Sequence, residues 1–137
     1  MTDRHRTLGQ AIADVTRADA AAIVALLLVI VGSLGPWVTT PLTSASGTSG
    51  DGWFTILMAI LGGWVVWRHG PGRPLAIIAG IILAEGMYEV IHLHQAVARV
   101  TFNGLQLDHV GWGVYAVIAG AAGVLAVVWR DLRSQRT

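Results

Sequence analysis

The chain has 137 residues, of which 54% are hydrophobic and 12% are charged, and its net charge is +1. A soluble domain of this size carries about a quarter charged residues, so the composition indicates an integral membrane protein. There is no cysteine, which excludes disulfides, thiolate metal sites and thiol catalysis.

Four apolar stretches, taken in chain order, predict four transmembrane helices. They lie at about residues 19–38, 52–68, 74–94 and 110–130. A helix needs roughly 20 residues to cross about 30 Å of hydrocarbon. The second stretch is the shortest, and it reaches this length only with flanking residues such as Arg68, whose long side chain can extend to the membrane surface. The sequence therefore predicts an all-α fold, an integral membrane antiparallel four-helix bundle.

The segments outside the four spans are short. The first of them, residues 1–18, is a predicted cytoplasmic segment in which Leu8, Ile12 and Val15 have the spacing of an amphipathic helix on the inner membrane surface. A frayed terminus explains this segment equally well. The others are an outer loop, a second outer segment that is either a helical extension or an interfacial helix, and a basic cytoplasmic tail: 39–52, 95–109 and 131–137.

The arginines predict the direction of the helices. Those in segments that share one side of the membrane are Arg4, Arg6, Arg17, Arg68, Arg73, Arg130, Arg133 and Arg136. Arg99 alone lies on the other side. Because arginine is enriched in cytoplasmic segments, both termini are predicted to be cytoplasmic.

Tryptophans mark the predicted ends of the spans, where membranes have aromatic belts. Trp37, Trp53 and Trp112 are expected as anchors at the outer surface. Trp67 and Trp129 are the corresponding anchors at the inner surface. Trp64 lies inside the second span and is predicted to pack within the protein.

Small residues at four-residue spacing predict where the helices touch, because they let helix backbones approach closely in lipid. They are Ala76, Gly80 and Ala84 on the third span, and Ala116, Gly120, Ala119 and Gly123 on the fourth. We therefore expect the third and fourth spans to be in intimate contact.

Several short patterns also point to a family: "LGPWV" (34–38), "SGTSGDG" (46–52), the pair Tyr88-Glu89 and "VGWGVYAVIAG" (110–120). With these patterns the chain resembles uncharacterised four-span, Gly/Trp-rich membrane proteins of high-GC Gram-positive bacteria. The resemblance implies the four-span fold and a location in the bacterial plasma membrane. It implies no activity and no functional residue.

The third span carries an acidic stripe that needs an explanation. Glu85, Glu89 and His92 share one narrow face of the predicted helix, and Arg99 continues that face if the helix persists beyond the membrane. A charged side chain at the bilayer centre costs roughly 2.5–3.5 kcal/mol. Some compensation is therefore expected, and three kinds remain open.

In the first explanation Glu85 is protonated and bonded to a neighbouring helix, while Glu89 pairs with His92 or Arg99. In the second, Glu85 handles protons or cations, as embedded acids do in transporters and channels. The third is an outer-side metal site, based on the Glu-x-x-His spacing and on nearby acids and histidines. Its candidate ligands are Glu89, His92, His94, Asp108 and His109, with Asp51 as a further outer-side acid.

The motifs of nucleotide-binding, serine-hydrolase and zinc-protease sites are missing from the sequence. We therefore expect no enzyme and no cofactor, and no nucleic-acid partner. The leading expectation is a small membrane protein that acts by binding, as an accessory or structural subunit. Its expected partners are membrane lipids and either copies of itself or a larger membrane complex.

Overall fold

The computed structural model describes residues 8–40, 42–99, 101–102, 105–106 and 109–136, and the side chains of 17–40, 42–96 and 109–136. The helices are α1 (Leu8–Leu34), α2 (Gly52–His69), α3 (Arg73–Arg99) and α4 (Trp112–Ser134), with a single 3-10 turn at Gly47–Ser49. The strands are β1 (Pro36–Thr39), β2 (Ser44–Ser46), β3 (Thr101–Phe102), β4 (Leu105–Gln106) and β5 (His109–Val110). The protein is therefore mainly α-helical, with small sheets between the helices.

Three of these helices are long and apolar enough to cross a membrane. Their apolar segments are Arg17–Leu34, Arg73–Ala96 and Trp112–Ser134. The helix α2 has 18 residues and does not belong to this set. Length and composition thus support a membrane protein with transmembrane helices.

Two helices extend beyond the predicted spans. The helix α1 begins at Leu8, so the part of 1–18 that the structure describes is continuous with the first span. The helix α3 continues to Arg99, which agrees with a helical extension into 95–109. The rest of that segment contains short strands, and the predicted outer loop 39–52 contains β1, β2 and the 3-10 turn.

Each helix packs against two others. The helix α1 contacts α2 and α4, and α3 also contacts α2 and α4.

The contact between α1 and α4 depends on glycine. A Cβ on Gly32 would lie 2.7 Å from the carbonyl oxygen of Gly113, and a Cβ on Gly120 would lie 2.7 Å from that of Ala25. Only glycine leaves room for the two backbones at these positions.

The small residues that we predicted as contact faces are used differently on the two helices. On α4, Ala116, Gly120 and Gly123 all lie against α1. On α3, a Cβ on Gly80 would touch nothing within 4 Å. Ala84 is exposed, and Ala76 is half-buried. The helices α3 and α4 are in contact, as expected, but their close glycine contact joins Gly86 to Ile118. Ala116, Gly120 and Gly123 of α4 therefore pack against α1 and not against α3.

One end of the bundle is closed by a three-stranded sheet in the order β2-β1-β5. The Gly111 amide, at the start of α4, donates to the carbonyl oxygen of Trp37 at 2.7 Å. The indole of Trp37 donates in turn to the carbonyl oxygen of Gly32 at 3.1 Å. Hydrogen bonds thus join the end of α1 to the start of α4.

Two tryptophans differ from their predicted roles. Trp37 is 4% exposed, so it packs under the sheet and does not anchor the protein at a membrane surface. Trp64 was predicted to be packed, but about half of its surface is exposed. The remaining four, Trp53, Trp67, Trp112 and Trp129, are all exposed, as an anchoring role requires. The distribution of tryptophan along the chain does not reveal which indoles the sheet covers.

Candidate functional site

Three carboxyl groups meet where the start of α2 faces the middle of α3. Asp51 precedes the first residue of α2, and Glu85 and Glu89 lie one turn apart on α3. One oxygen from each side chain can be chosen so that all three lie within 4.8 Å of one another. We call Asp51, Glu85 and Glu89 the carboxyl cluster.

The local sequence explains why Asp51 is in this position. It occupies the N-cap position of α2, yet its side chain makes no capping hydrogen bond. Gly52 beside it packs tightly, because a Cβ there would lie 2.7 Å from the carbonyl oxygen of Gly47. The glycine lets the 3-10 turn pack against the start of α2. The carboxyl group of Asp51 is left available to the acids of α3.

Burial differs sharply among the three acids. Asp51 is exposed, Glu85 is half-buried, and Glu89 is only 8% exposed. The nearest carboxyl oxygens of Glu89 and Asp51 lie within 4.8 Å of each other. A carboxylate can only accept a hydrogen bond, so the two groups can bond to each other only when one of them carries a proton.

The carboxyl group of Glu89 lacks a hydrogen-bond donor among the described residues. Among the described side chains and backbone amides, no N–H or hydroxyl group donates a hydrogen bond to it. His92 influences it electrostatically, but the two residues form no ion pair within the described part of the chain. A buried carboxyl group that faces two other carboxyl groups requires a proton or a cation as compensation.

The predicted histidine ligands lie outside this cluster. His92 is exposed, and its ring stacks on Tyr88 with centroids 6.0 Å apart. His94 is exposed, with its Nδ1 atom 2.8 Å from the carbonyl oxygen of Val90. His109 is exposed on β5. Asp108 and the side chain of Arg99 lie outside the described residues. Of the described candidates for the predicted metal site, Asp51 and Glu89 come together, and the three histidines do not join them.

The embedded acid that is most buried is Glu89, whereas the sequence had directed attention to Glu85. Asp51 was expected only as a further outer-side acid beside the predicted metal ligands. Its position just before the second span was the available signal, because it places the acid at the same predicted surface as Glu89. The sequence did not show that the Asp51 side chain would make no capping hydrogen bond to α2.

The chemistry of the cluster is that of oxygen ligands alone. Three carboxyl groups suit protons or hard cations such as Mg²⁺ and Ca²⁺, and they are less suited to metals that prefer nitrogen or sulfur. Two neighbouring carboxyl groups can also share one proton, with one group donating and the other accepting. The fold and this cluster together describe a helical membrane protein with a polar group at one end of the bundle.

No protein-family model, curated protein or solved structure matches this chain.

Proposed function

We propose that the protein is a small four-span protein of the bacterial plasma membrane that acts by binding, as an accessory or structural subunit. The helices form an antiparallel bundle with both termini in the cytoplasm. The surface through which it binds a second copy of itself is the outward face of α2. Trp53, Leu57, Ile60, Trp64 and Trp67 make up this face.

The observation that carries the proposal is the exposure of this α2 face. All five of its residues are more than half exposed. They recur at intervals of four and three residues, so they form one continuous stripe along the helix. Three of the six tryptophans of the chain lie on this stripe. Large indole rings are among the side chains that contribute most to binding surfaces.

The length and composition of α2 also favour a partner. It is not among the helices that are apolar enough to cross a membrane independently. A short span in a bilayer is accommodated by local thinning, by extended flanking residues or by oligomerisation. A second copy would cover α2 with protein, so that lipid would not have to solvate the whole of it.

The arginine distribution supports the orientation. Arg17 and Arg73 lie in the N-terminal parts of α1 and α3, and Arg68 and Arg130 lie in the C-terminal parts of α2 and α4. When successive helices alternate in direction, these four residues share one side of the bundle. The rule that cytoplasmic segments are rich in arginine then places this end inside the cell. The carboxyl cluster would lie toward the outer side.

Cysteine crosslinking tests the self-association. Because the chain contains no cysteine, a single Leu57→Cys substitution reports only on the α2 face. In membranes diluted with excess lipid, oxidation is expected to give a disulfide-linked dimer of this variant. The matched control is Ile77→Cys, which is as exposed on α3 as Leu57 is on α2.

Little dimer is expected from the control. Equal crosslinking of the two variants would mean random collision. If neither variant crosslinks at any lipid dilution, the chain is a monomer and the proposal is wrong.

A second candidate function is proton or cation handling, favoured by the convergence of Asp51, Glu85 and Glu89. A second observation also favours it. Glu89, the most buried member of the carboxyl cluster, receives no hydrogen bond from a described N–H or hydroxyl group. A carboxyl group that needs compensation in this way can bind and release a proton or a cation during transport.

Flux through proteoliposomes tests this second function. Proton or cation flux driven by a potential is expected in the parent and is expected to be lost in Glu89→Gln, which keeps the shape and removes the exchangeable proton. The control is Asp131→Asn, an acid at the opposite end of the bundle. Flux that is unchanged by Glu89→Gln would exclude the cluster as its route.

A further inference from the structure

We propose that a groove between α3 and α4 binds an anionic phospholipid. One acyl chain would lie in the groove, and the phosphate would lie beside Arg73 and Arg133. The inference rests on the membrane placement in the proposed function, but it does not depend on self-association or on the carboxyl cluster.

The groove has a volume of about 390 Å³ and lies where the start of α3 faces the end of α4. Its lining is apolar: Ala76, Leu125, Ala126, Val128, Trp129 and Leu132. Small-molecule sites in proteins have volumes of roughly 300–1,000 Å³ and mainly apolar walls. The groove therefore has the size and the lining of a binding site for a hydrocarbon chain.

Small side chains create this space. Ala76 on α3 and Ala126 on α4 do not fill the gap between the two helices. The small-residue stripe of α4, which includes Gly120, is turned toward α1 and does not close the gap. An unfilled gap between helices forfeits dispersion contacts. In a membrane the molecule available to fill it is a lipid chain.

Positive charge lies at one end of the groove. The guanidinium carbon of Arg133 is 4.5 Å from the centre of the Trp129 ring, and Trp129 is part of the groove wall. This cation–π contact holds the charge beside the apolar surface. Arg73 is exposed and lies one turn before Ala76, on the same side of α3.

Both arginines are available to a ligand. Within the described side chains, neither forms an ion pair with an acid of the protein. The nearest acid in sequence, Asp131, accepts a hydrogen bond from the side chain of Gln135 at 2.7 Å. Guanidinium groups bind phosphate through several N–H donors at once. Basic pockets between helices at the cytoplasmic surface are suited to anionic lipid headgroups. Charge complementarity therefore selects an anionic phospholipid over a zwitterionic one.

Native mass spectrometry of the full chain in mild detergent measures the bound lipid directly. Palmitoyl-oleoyl phosphatidylglycerol is titrated in competition with the phosphatidylcholine of the same acyl chains. The parent is expected to retain one phosphatidylglycerol. The double variant Arg73→Gln/Arg133→Gln is expected to bind it about 10-fold more weakly.

Groove-filling variants separate a lipid site from general attraction between charges. Ala76→Phe keeps both arginines and is also expected to lose the bound phosphatidylglycerol. Ala126→Phe fills the same groove from α4, and serves if the first variant does not fold by circular dichroism. The control Arg68→Gln removes one charge from α2, which contributes nothing to the groove, and is expected to retain the lipid.

Retention of phosphatidylglycerol by folded groove-filling variants would overturn the proposal and leave only surface attraction. Equal binding of the two lipids by the parent would overturn it as well. A monomeric protein that retains the lipid would contradict the self-association and leave the groove site intact. A protein that does not float with liposomes would contradict the membrane placement itself.

Discussion

The hydroxyl oxygens of Ser33 on α1 and Thr55 on α2 lie 2.5 Å apart, and both side chains are completely buried. Ser33 also donates to the carbonyl oxygen of Val29 at 2.9 Å, and Thr55 to that of Gly52 at 2.8 Å. Each hydroxyl has one hydrogen, so three contacts share two hydrogens. The bond from Ser33 to Val29 lies within its own helix, and the contact with Thr55 adds a polar link between α1 and α2.

A double-mutant cycle on Ser33→Ala and Thr55→Val tests that link. Each single substitution is expected to lower the free energy of unfolding by about 1 kcal/mol, because it removes a hydrogen bond from a dry contact. The coupling between the two is expected to be about 0.6 kcal/mol, the usual value between membrane helices. Unfolding in mixed micelles measures all four proteins. Strictly additive effects would show that the hydroxyl groups do not interact.

The close approach of α1 and α4 predicts contrasting effects of two glycine substitutions. Gly120→Ala places a methyl group against the backbone of α1 and is expected to destabilise the protein by about 1–3 kcal/mol through overpacking. Gly80→Ala is the matched control, because its methyl group meets nothing within 4 Å. The control is expected to be neutral or slightly stabilising, since alanine favours the helix. Thermal unfolding of the two variants measures the difference, and similar stabilities would contradict the packing described.

Removing the indole N–H of Trp37 is expected to destabilise the sheet-covered end of the bundle. Trp37→Phe removes one of the two donors to the carbonyl oxygen of Gly32 and leaves the Gly35 N–H at 3.2 Å, so the expected cost is that of one hydrogen bond, about 0.5–1.5 kcal/mol. Tyr115→Phe, which removes a polar group at an exposed position on α4, is expected to change stability by less than about 0.5 kcal/mol. Chemical unfolding followed by circular dichroism measures both. An unchanged Trp37→Phe variant would mean that the hydrogen bond contributes nothing.

The carboxyl cluster predicts a gain in stability when its buried member is neutralised. Glu89→Gln is expected to raise the free energy of unfolding at neutral pH by about 1 kcal/mol, because the amide can donate to Asp51 and removes a charge that the protein must desolvate. Glu85→Gln is expected to have a smaller effect, because Glu85 is half-buried. Denaturation midpoints of the three proteins measure this order. A destabilised Glu89→Gln variant would show that the carboxyl group is already well compensated in the parent.

Hydropathy predicts which segments are helical in this protein, because apolar length and helical periodicity are properties of a segment itself. The helix that diverges most from this rule is α2, whose glycines, tryptophans and terminal Arg68 reduce its apolar character. The choice of neighbour is a different matter. Gly120 and Gly80 have the same local surroundings of small and aliphatic residues, yet one meets α1 and the other is open. Pattern alone could not distinguish them, because the choice depends on the relative rotation of the helices.

The candidate site was partly predictable for a related reason. The stripe of Glu85 and Glu89 follows from helical spacing within one segment. The position of Asp51 beside these two acids depends on how the 3-10 turn packs on Gly52, which is a contact between separate segments. The same applies to Trp37, whose burial results from strand pairing beyond the end of α1. Contacts between segments that are distant in sequence are the part of this fold that could not be predicted from the sequence.

The glycine contact between α1 and α4 has a consequence for biosynthesis. During translation α1 is made before α2 and α3, and the helix that fits its glycine-lined surface, α4, is made after both of them. Until then the notch at Gly32 faces lipid or the insertion machinery. The contact is long-range in sequence, so its formation is a late step in assembly. The nascent protein therefore passes through a stage in which α1, α2 and α3 have been made, but the glycine-lined surface of α1 has not yet met α4.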